Sequence, residues 1–411
     1  MDRKTKKREP GVQKIVKDII NKIRSGGDSA ISDLILKLDK ARIPPEDFLV
    51  TPEDLEKAHK KADASFLDLV RKTASNIREY QEHILIRPPS PLIRGKRKLS
   101  VRYTPVDKAA VYVPGGKAVY PSTVLMTVIP AQVAGVKEIV MASPPSEEGE
   151  INPMVLALAC EFGIKKVYKM GGAVAIAALA MGTKTVNPVN KIVGPGNAFV
   201  AEAKKQLFGH VGIDSIAGPS EVLIIADGGA NPAYIASDML AQTEHNPGSA
   251  ILITDSLNLA KNTASEIEIK LGRLERAEAI DRGINSYSAC IVVDNLNTAC
   301  KLADEFAAEH LQIITKDNEM YLNKINNFGA VFLGKWTPVA TGDYLAGPSH
   351  VLPTGGTSKF FGALSCNDFR KSQSIIEYDR ASLAEDANSI VDFALREGLT
   401  AHAMSVKDRN K

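Results

Sequence analysis

The chain has 411 residues, of which 44% are hydrophobic and 24% are charged. These proportions are those of a soluble globular protein large enough for two or three domains. The net charge of +3 is too small to predict nucleic-acid binding, and we interpret the clearest basic run, Lys4, Lys6, Lys7 and Arg8, as a solvated tail.

The spacing of the cysteines and the length of the apolar runs predict the cellular compartment. Cys160, Cys290, Cys300 and Cys366 are widely separated and form no C-x-x-C pair, which argues against a disulfide framework and against a thiolate zinc site. No segment approaches the roughly 18 consecutive apolar residues of a membrane helix. We therefore expect a cytoplasmic protein without a membrane anchor.

Residues 11 to about 85 are predicted to form a helical arm. Apolar residues recur near its start at three- and four-residue steps, namely Val12, Ile15, Ile19, Ile20 and Ile23. This period is that of one helix face, and Gly26-Gly27 predicts the end of the first helix.

Two series of short β-branched runs follow, separated by Ala-rich helical stretches. The first series covers residues 109–113, 138–142, 166–169 and 191–193, and the second covers 222–226, 250–254, 289–293, 311–315 and 330–333. Such alternation predicts βαβ units and parallel sheets. The predicted fold class is α/β, with two Rossmann-like domains, the helical arm and a small C-terminal dimerisation tail.

The predicted domain boundaries follow the two series. Residues 1–112 with 222–365 form a first α/β domain, which includes the arm, and residues 113–221 form a second, Rossmann-like domain. Residues 366–411 are predicted to return to helix, with a stop at Gly398. Because this tail is too short to fold alone, we expect it to pack on a partner subunit.

Four glycine-containing loops lie at or near the ends of predicted strands, at residues 114–116, 171–173, 194–197 and 218–220. In open α/β sheets, ligands bind outside the carboxyl ends of the strands, where backbone N–H groups can approach a phosphate. Asn197 and Ser220 are candidates for a helix cap or a ribose contact. No G-x-G-x-x-G occurs, and glycines at strand ends are usually turns. Four such loops in half a chain nevertheless favour a nucleotide-sized ligand.

Gln242 and His245 are predicted to share one face of the last turn of a helix that stops at Pro247-Gly248. A single histidine at a helix C-terminus is usually explained by the helix dipole. The functional alternative is a metal site, because His245, Asp343 and His402 are good zinc ligands by type, and the lack of a thiolate favours a catalytic zinc. Gln242 is a weak ligand that composition alone would not nominate.

Glu309-His310 ends an Ala-rich helix just before a strand, where an acid–base pair can face a cleft. A solvated surface pair is an equally good interpretation before context. Residues 341–356 form a loop rich in glycine and proline that carries Asp343 and His350, and such loops are more often sites than linkers. Glu397 and His402 flank a helix stop and, taken alone, are typical surface residues.

Six ordered segments resemble the histidinol dehydrogenase family, and the resemblance covers nearly the whole chain from the arm to Val406. The segments are residues 191–200 (KIVGPGNAFV), 216–227 (IAGPSEVLIIAD), 241–247 (AQTEHNP), 308–312 (AEHLQ), 342–356 (GDYLAGPSHVLPTGG) and 399–406 (LTAHAMSV).

The resemblance implies a set of site residues. The implied zinc ligands are Gln242, His245, Asp343 and, from the partner subunit of a homodimer, His402. Glu309 and His310 are the implied acid–base residues. The implied substrate-binding set consists of these six residues together with Ser220, His350 and Glu397. Tyr112 and Asn197 would lie along the path of NAD.

The resemblance also implies a reaction, the zinc- and NAD-dependent oxidation of L-histidinol to L-histidine through bound histidinal, with two hydride transfers, as the last step of histidine biosynthesis. One alternative is a related zinc and NAD dehydrogenase that acts on another amino alcohol or diol. A second is a non-catalytic nucleotide-binding paralog. The chain departs from the family at Val174, where the family usually has Gln near the cofactor, and at Met181, where a Tyr is common. Loss of that amide predicts weaker NAD binding by about one hydrogen bond, on the order of 1 kcal/mol.

Overall fold

The structure is a computed structural model that describes residues 11–115, 120–245 and 248–410. The predicted basic tail, Gly116 of the first glycine loop and Pro247 of the predicted helix stop lie outside these residues. Contacts divide the chain into two compact units, one with residues up to Ile84 and Val106–Phe369, the other with Leu85–Pro105 and the chain from Arg370 onward. The predicted domain boundaries differ from these two units and stay a prediction.

The described residues form helices in the order α1 (Val12–Leu38), α2 (Pro52–Lys61), α3 (Ala64–His83), α4 (Pro121–Ala134), α5 (Pro153–Glu161), α6 (Gly172–Met181), α7 (Ala198–Leu207), α8 (Pro232–Thr243), α9 (Leu257–Leu271), α10 (Ala277–Tyr287), α11 (Leu296–Phe306), α12 (Asn318–Leu322), α13 (Val339–Tyr344), α14 (Arg380–Arg396) and α15 (Thr400–Arg409). The strands are β1 (Leu92–Arg94), β2 (Arg97–Pro105), β3 (Lys108–Tyr112), β4 (Glu138–Ser143), β5 (Lys166–Lys169), β6 (Lys191–Val193), β7 (Gly212–Ile213), β8 (Glu221–Ala226), β9 (Ser249–Thr254), β10 (Ala289–Val292), β11 (His310–Ile314), β12 (Ala330–Leu333) and β13 (Arg370–Glu377).

The predicted helical arm is confirmed as α1, α2 and α3. Thr51 and Asp63 start α2 and α3, because their side-chain oxygens accept hydrogen bonds from N–H groups of the first turn. The predicted stop at Gly26-Gly27 is a kink within α1, where Gly27 has φ 56° and ψ −136°, a conformation that favours glycine. Ile19 and its neighbours on the apolar face are buried, but Ile15 is 46% exposed.

The first sheet has five parallel strands in the order β5-β4-β3-β6-β7. The four predicted strands of this series are present, and the short β7 adds a fifth. The middle of each predicted run is apolar, as expected for parallel strands that are covered on both faces. Strand β3 lies at the centre of this sheet, although the predicted boundary at residue 112 assigns it to the other domain. The order reverses between β3 and β6, as in a doubly wound sheet.

The second sheet has five parallel strands in the order β10-β9-β8-β11-β12. All five predicted strands are present within one residue at each end. In both sheets the first strand is central, with the second and third on one side and the fourth and fifth on the other. The prediction of two Rossmann-like α/β modules with parallel sheets is therefore confirmed. Among the described residues, no helix is long and apolar enough to cross a membrane.

The second unit corrects the prediction that the chain after about residue 366 returns directly to helix. Strand β13 comes first, and it pairs antiparallel with β2 from Arg370↔Pro105 to Glu377↔Lys98, while β2 also pairs with β1. The strand escapes sequence reading because its side chains are all exposed or half-buried, so no apolar alternation marks it. Helices α14 and α15 follow as predicted, and the dimerisation role of this tail stays a prediction.

A buried ion pair fixes the loop between β6 and α7. Lys204 Nζ lies 2.6 Å from Asp214 Oδ1 and donates to the carbonyl oxygen of Gly194 at 2.6 Å. Asp214 Oδ2 accepts a hydrogen bond from the Gly194 N–H at 2.7 Å. Gly194 has φ 119°, and a Cβ there would overlap the carbonyl oxygen of Tyr112. The N–H and the carbonyl oxygen of Gly194 are therefore both hydrogen-bonded to this ion pair.

Lys204→Met is expected to lower the free energy of unfolding by about 3–5 kcal/mol, because it leaves the Asp214 carboxylate buried without its counter-ion. The matched control is Lys205→Met, an exposed neighbour on the same helix, with an expected change within about 0.5 kcal/mol. Urea denaturation of both variants measures the difference. Equal stabilities for the two variants would show that the ion pair does not stabilise the fold.

Candidate active site

The predicted acid–base pair lies at the amino-terminal edge of the second sheet. Glu309 directly precedes β11, His310 is its first residue, and Glu221 is the first residue of the neighbouring strand β8. His310 stands opposite Val222 in the parallel register. Glu309 is 6% and His310 is 5% exposed, which excludes the alternative of a solvated surface pair.

One of the four glycine loops lies at the opposite end of a strand from the carboxyl end, where such loops were expected to mark a ligand site. The loop 218–220 directly precedes β8 and so lies at the amino-terminal edge. There the Gly218 N–H donates to Thr354 Oγ1. Ser220 hydrogen-bonds the carboxyl of Glu309 through its side chain, so that predicted site residue does meet the acid–base pair.

Glu221 and Glu309 exchange reciprocal hydrogen bonds between backbone and side chain. The Glu221 N–H donates to Glu309 Oε2 at 2.9 Å, and the Glu309 N–H donates to Glu221 Oε1 at 3.3 Å. Glu221 Oε1 also accepts from the Gly355 N–H at 3.2 Å. Sequence reading missed Glu221, since a carboxylate at the start of a strand carries no signal of its own; its neighbour Ser220 was the only pointer.

His310 lies among oxygen atoms. Its Nδ1 is 3.2 Å from the carbonyl oxygen of Glu221 and 3.7 Å from Glu309 Oε2, and its Nε2 is 3.8 Å from Asp343 Oδ1. A carbonyl oxygen only accepts, so we assign the ring proton to Nδ1. The pKa of His310 is lowered to about 4, mainly by burial; the hydrogen bond with the Glu221 carbonyl opposes this shift, and the nearby His245 and His350 contribute to it. Its Nε2 has no hydrogen-bond partner among the described residues.

The carboxyl of Glu309 has the opposite shift. Burial raises its pKa well above the ordinary value, and the negative charges of Glu221 and Asp343 add to this effect, while the hydrogen bond from the Glu221 N–H opposes it. A buried carboxyl beside a neutral imidazole is an arrangement that can give and take protons near neutral pH.

Three of the four predicted metal ligands belong to the first unit. Gln242, at the end of α8, is 3% exposed, and its Nε2 has no hydrogen-bond partner among the described residues. Asp343 lies on α13 with its side chain 26% exposed, and burial raises its pKa to about 6. His245 keeps an exposed side, and desolvation by neighbouring atoms lowers its pKa. The charge of His245 acts on both His310 and His350, so His245 lies near both of them.

The end of α8 explains why Gln242 and His245 come together. The chain reverses at Gly248, where an added Cβ would overlap the carbonyl oxygen of Gln242 and lie 2.5 Å from that of His245. Only glycine allows this close return of the chain over the helix end. Helix α8 itself ends earlier than predicted, at Thr243 with Glu244 as its C-cap. His245 therefore lies just beyond the helix, and the prediction that it shares the last turn with Gln242 is wrong.

His350 lies near His310, His245 and Asp343. Burial lowers its pKa to about 4, while a hydrogen bond with the backbone of Asp343 acts in the opposite direction. The adjacent Ser349 fixes the loop, because its Oγ donates to the carbonyl oxygen of Met126 at 3.1 Å. Glu397 and His402 lie in the second unit, at the end of α14 and in α15, and both are exposed.

The residues present fit a metal ion of the predicted kind. Among the described residues, no three His, Cys, Asp or Glu side chains are grouped to hold a metal by themselves. The predicted set needs no such group, because one ligand is an amide and another would come from a partner subunit. The oxygens of Gln242 and Asp343 with a His245 nitrogen make a mixed donor set that suits zinc. The unpartnered atom of Gln242 is the Nε2 donor, which does not bind a metal, so the fit to zinc rests on the donor set alone.

A cavity of about 800 Å³ lies at the carboxyl edge of the first sheet. Its wall includes Tyr112, Gly115, Gly171 and Asn197, so the structure brings together three of the predicted glycine loops and both predicted cofactor residues. Tyr112 Oη accepts a hydrogen bond from the Gly172 N–H at 3.0 Å, and the Asn197 side chain caps α7.

The cavity fits a dinucleotide in size and in backbone. An added Cβ would lie 2.5 Å from Pro144 at Gly115 and 2.6 Å from it at Gly171, so the wall is bare backbone at both places. Cavities of this volume are typical of small-molecule sites. Val174 is 1% exposed in the core behind the wall, and its predicted effect on NAD binding stays a prediction.

A doubly wound sheet with a nucleotide-sized cavity, joined in one chain to a buried carboxyl–imidazole pair, is the construction of an α/β oxidoreductase. Comparison with known sequences makes the class specific: the sequence model described as histidinol dehydrogenase matches residues 2–410. The chain belongs to the histidinol dehydrogenase family.

Individual relatives agree with this family. The histidinol dehydrogenase of Rhodopirellula baltica is 46% identical over 397 residues, which cover 97% of this chain and 86% of that protein. The Bacillus subtilis protein of the same name is 45% identical over 400 residues, covering 97% of this chain and 93% of the relative. The crystal structure of histidinol dehydrogenase from Elizabethkingia anophelis superposes with a TM-score of 0.92 at 34% identity, covering 97% of this chain and 92% of that one.

Glu221→Met is expected to lower the free energy of unfolding, because the buried N–H of Glu309 loses its acceptor. That loss alone is expected to cost about 1–3 kcal/mol. Glu221→Gln is the matched control, because its amide oxygen keeps the acceptor in place. Denaturant titration compares the two variants. If they were equally stable, the reciprocal hydrogen bonds would not account for the stability of this edge.

Proposed function

We propose that this protein catalyses the zinc- and NAD-dependent oxidation of L-histidinol to L-histidine through bound histidinal, the last step of histidine biosynthesis. The observation that most supports this is the buried Glu309–His310 pair beside Asp343. Oxidation of an alcohol to a carboxylate passes through an aldehyde, so a base must act in both steps.

His310 is the proposed base that removes the alcohol proton. Its low pKa keeps the ring neutral near pH 7. With Nδ1 engaged by the carbonyl oxygen of Glu221, Nε2 is the free acceptor that faces Asp343. The same atom would assist the second oxidation, from the hydrated aldehyde, once its proton has been passed on.

Glu309 is the proposed residue that activates the water adding to the aldehyde. Its carboxyl is held by the Glu221 N–H and by Ser220, which fixes its orientation. The burial that raises its pKa also keeps bulk water away from the aldehyde. A single water admitted beside Glu309 would therefore react in a defined place.

Zinc is proposed to be held by Gln242, His245, Asp343 and His402 of the partner subunit. When bound it would supply a fixed positive template for the imidazole and amino nitrogens of the substrate. The proposed substrate-binding set comprises Ser220, Gln242, His245, Glu309, His310, Asp343, His350, Glu397 and His402.

NAD⁺ is proposed to accept both hydrides, with Tyr112 and Asn197 along its path. Both residues line the cavity of about 800 Å³ at the carboxyl edge of the first sheet. The bare backbone at Gly115 and Gly171 supports this placement, because it lets a phosphate approach N–H groups closely. Asn197 presents its side chain at the N-terminus of α7, the helix end that favours negative charge.

A homodimer with shared active sites is the proposed assembly. Large apolar side chains of the second unit are exposed, among them Ile376 at 71%, Phe393 at 68% and Met404 at 59%. Exposed apolar patches on this scale favour a protein interface. The free thiols of the four cysteines support our proposal that the enzyme works in the cytoplasm.

The test is NADH production from L-histidinol by the purified protein, before and after zinc is removed and restored. We expect two NADH for each histidine formed, and activity that follows zinc. Zinc binding without oxidation of histidinol would favour another amino alcohol or diol as substrate. A protein that binds neither zinc nor NAD would contradict the proposal and favour a non-catalytic role.

His310→Asn is expected to reduce turnover by about 10²–10⁴-fold, the usual contribution of a positioned base, while histidinol still binds. Steady-state kinetics give the turnover, and calorimetry gives the affinity for histidinol. His210→Asn, at an exposed position, is the control and keeps normal turnover. Turnover near normal in the His310 variant would exclude it as the base.

His402→Asn is expected to weaken zinc binding without lowering the melting temperature, because His402 is exposed. Metal analysis and thermal denaturation check both parts. Mixing this variant with His310→Asn tests whether the site is shared between subunits. In a shared arrangement half the dimers are mixed and one site of each has both histidines, so about a quarter of the normal activity returns. No return of activity would place His402 in the site of its own subunit, whereas normal zinc content in His402→Asn alone would exclude it from the ligand set.

A further inference from the structure

The charged side chains that line the cavity at the carboxyl edge of the first sheet are all acidic. Among the described residues they are Asp39, Glu147 and Glu150, and the described wall contains no lysine or arginine. A phosphate group needs such cations or several N–H donors. The charge of the wall therefore bears on which dinucleotide the cavity accepts.

Asp39 differs from the other two acids in its surroundings. Glu147 and Glu150 are exposed, and Glu150 lies 3.8 Å from the ammonium of Lys169. Asp39 is half-buried at the end of α1, and its Oδ1 is 3.4 Å from the position that a Cβ on Gly171 would occupy. It thus faces the bare backbone of the cavity wall, at the end of the third strand of the sheet.

Among the described residues, no donor makes a hydrogen bond to the carboxyl of Asp39. The backbone N–H of Asp39 donates to the carbonyl oxygen of Ile35. Burial raises its pKa to about 6, so above pH 7 the carboxylate is mainly ionised. An ionised, half-buried carboxylate without a donor is unfavourable by itself. A ligand that brings two hydroxyl donors would relieve this cost.

We propose that Asp39 determines cofactor specificity: its carboxylate binds the vicinal hydroxyls of the adenosine ribose and excludes a ribose with a 2′-phosphate. In dinucleotide-binding doubly wound sheets a carboxylate makes this contact, and an arginine replaces it when the 2′-phosphate is accepted. Here the second strand, β4, ends at Ser143 and is followed by Pro144 and Pro145, which supply no acid. The helical arm supplies one instead.

The inference rests on the proposed function, because it concerns the dinucleotide of that reaction. The first test is direct binding, measured by calorimetry at pH 8 with ADP-ribose and with 2′-phospho-ADP-ribose. The parent protein is expected to prefer ADP-ribose. Asp39→Asn is expected to weaken ADP-ribose binding by about tenfold to a hundredfold, the usual value of hydrogen bonds to a charged group, and not to weaken the phosphorylated form.

The second readout is kcat/KM for NAD⁺ divided by kcat/KM for NADP⁺, both measured with histidinol. This ratio is expected to fall in Asp39→Asn in parallel with the binding ratio. Asp33→Asn is the matched control, an exposed acid on the same helix, and keeps both ratios. Because each ratio is taken within one protein, a change in stability does not alter it.

The outcomes separate the inference from the proposed function. A parent that prefers ADP-ribose with an unchanged ratio in Asp39→Asn would overturn the role of Asp39 and leave NAD dependence intact. A parent that prefers the 2′-phosphorylated form would overturn the argument from the acidic wall. A parent that binds neither compound and oxidises nothing with NAD⁺ would contradict the proposed function itself.

Discussion

The reciprocal hydrogen bonds between Glu221 and Glu309 are the interaction on which the catalytic edge depends. They join the starts of β8 and β11 a second time, beyond the strand ladder. Two carboxyl groups can be buried side by side because backbone N–H groups satisfy them. The same burial sets the protonation of the pair, with a neutral His310 and a carboxyl of raised pKa at Glu309. Two of the buried polar atoms without a hydrogen-bond partner among the described residues, His310 Nε2 and Gln242 Nε2, belong to the predicted site.

The two sheets share one strand order, but the ligands proposed for them carry opposite charges. At the carboxyl edge of the first sheet, α7 begins with its cap Asn197, and helix N-termini favour anions such as a pyrophosphate. At the amino-terminal edge of the second sheet, α8 ends beside Gln242, and helix C-termini favour cations. The proposed metal site and the proposed cofactor site therefore fall on edges of opposite polarity, which the rule of carboxyl-edge binding alone does not predict.

Most strands of the two sheets were predictable because they are short buried apolar runs, and the mostly exposed β10 was predictable from its β-branched residues between two helical stretches. Strand β13 was not, since it is exposed and its partner lies far away in the sequence. His245, His310 and Asp343 could be nominated by residue type. Gln242 required the family resemblance, because an amide is a poor ligand by type. Glu221 was missed because it acts through its backbone as much as through its carboxylate, and sequence patterns do not show backbone partners.

The placement of Glu309 and His310 at the start of a central strand has a consequence for divergence within the fold. Their positions are inherited from the register of β11 with β8, and a change of register would move every residue of the strand. The wall of the cavity in the first sheet, in contrast, includes loop residues such as Pro114, Gly115 and Pro145 as well as the end of α1. Substitutions in such loops leave the sheet intact. The proposed acid–base pair is therefore tied to the strand register, whereas the loop part of the proposed cofactor wall is free of that constraint.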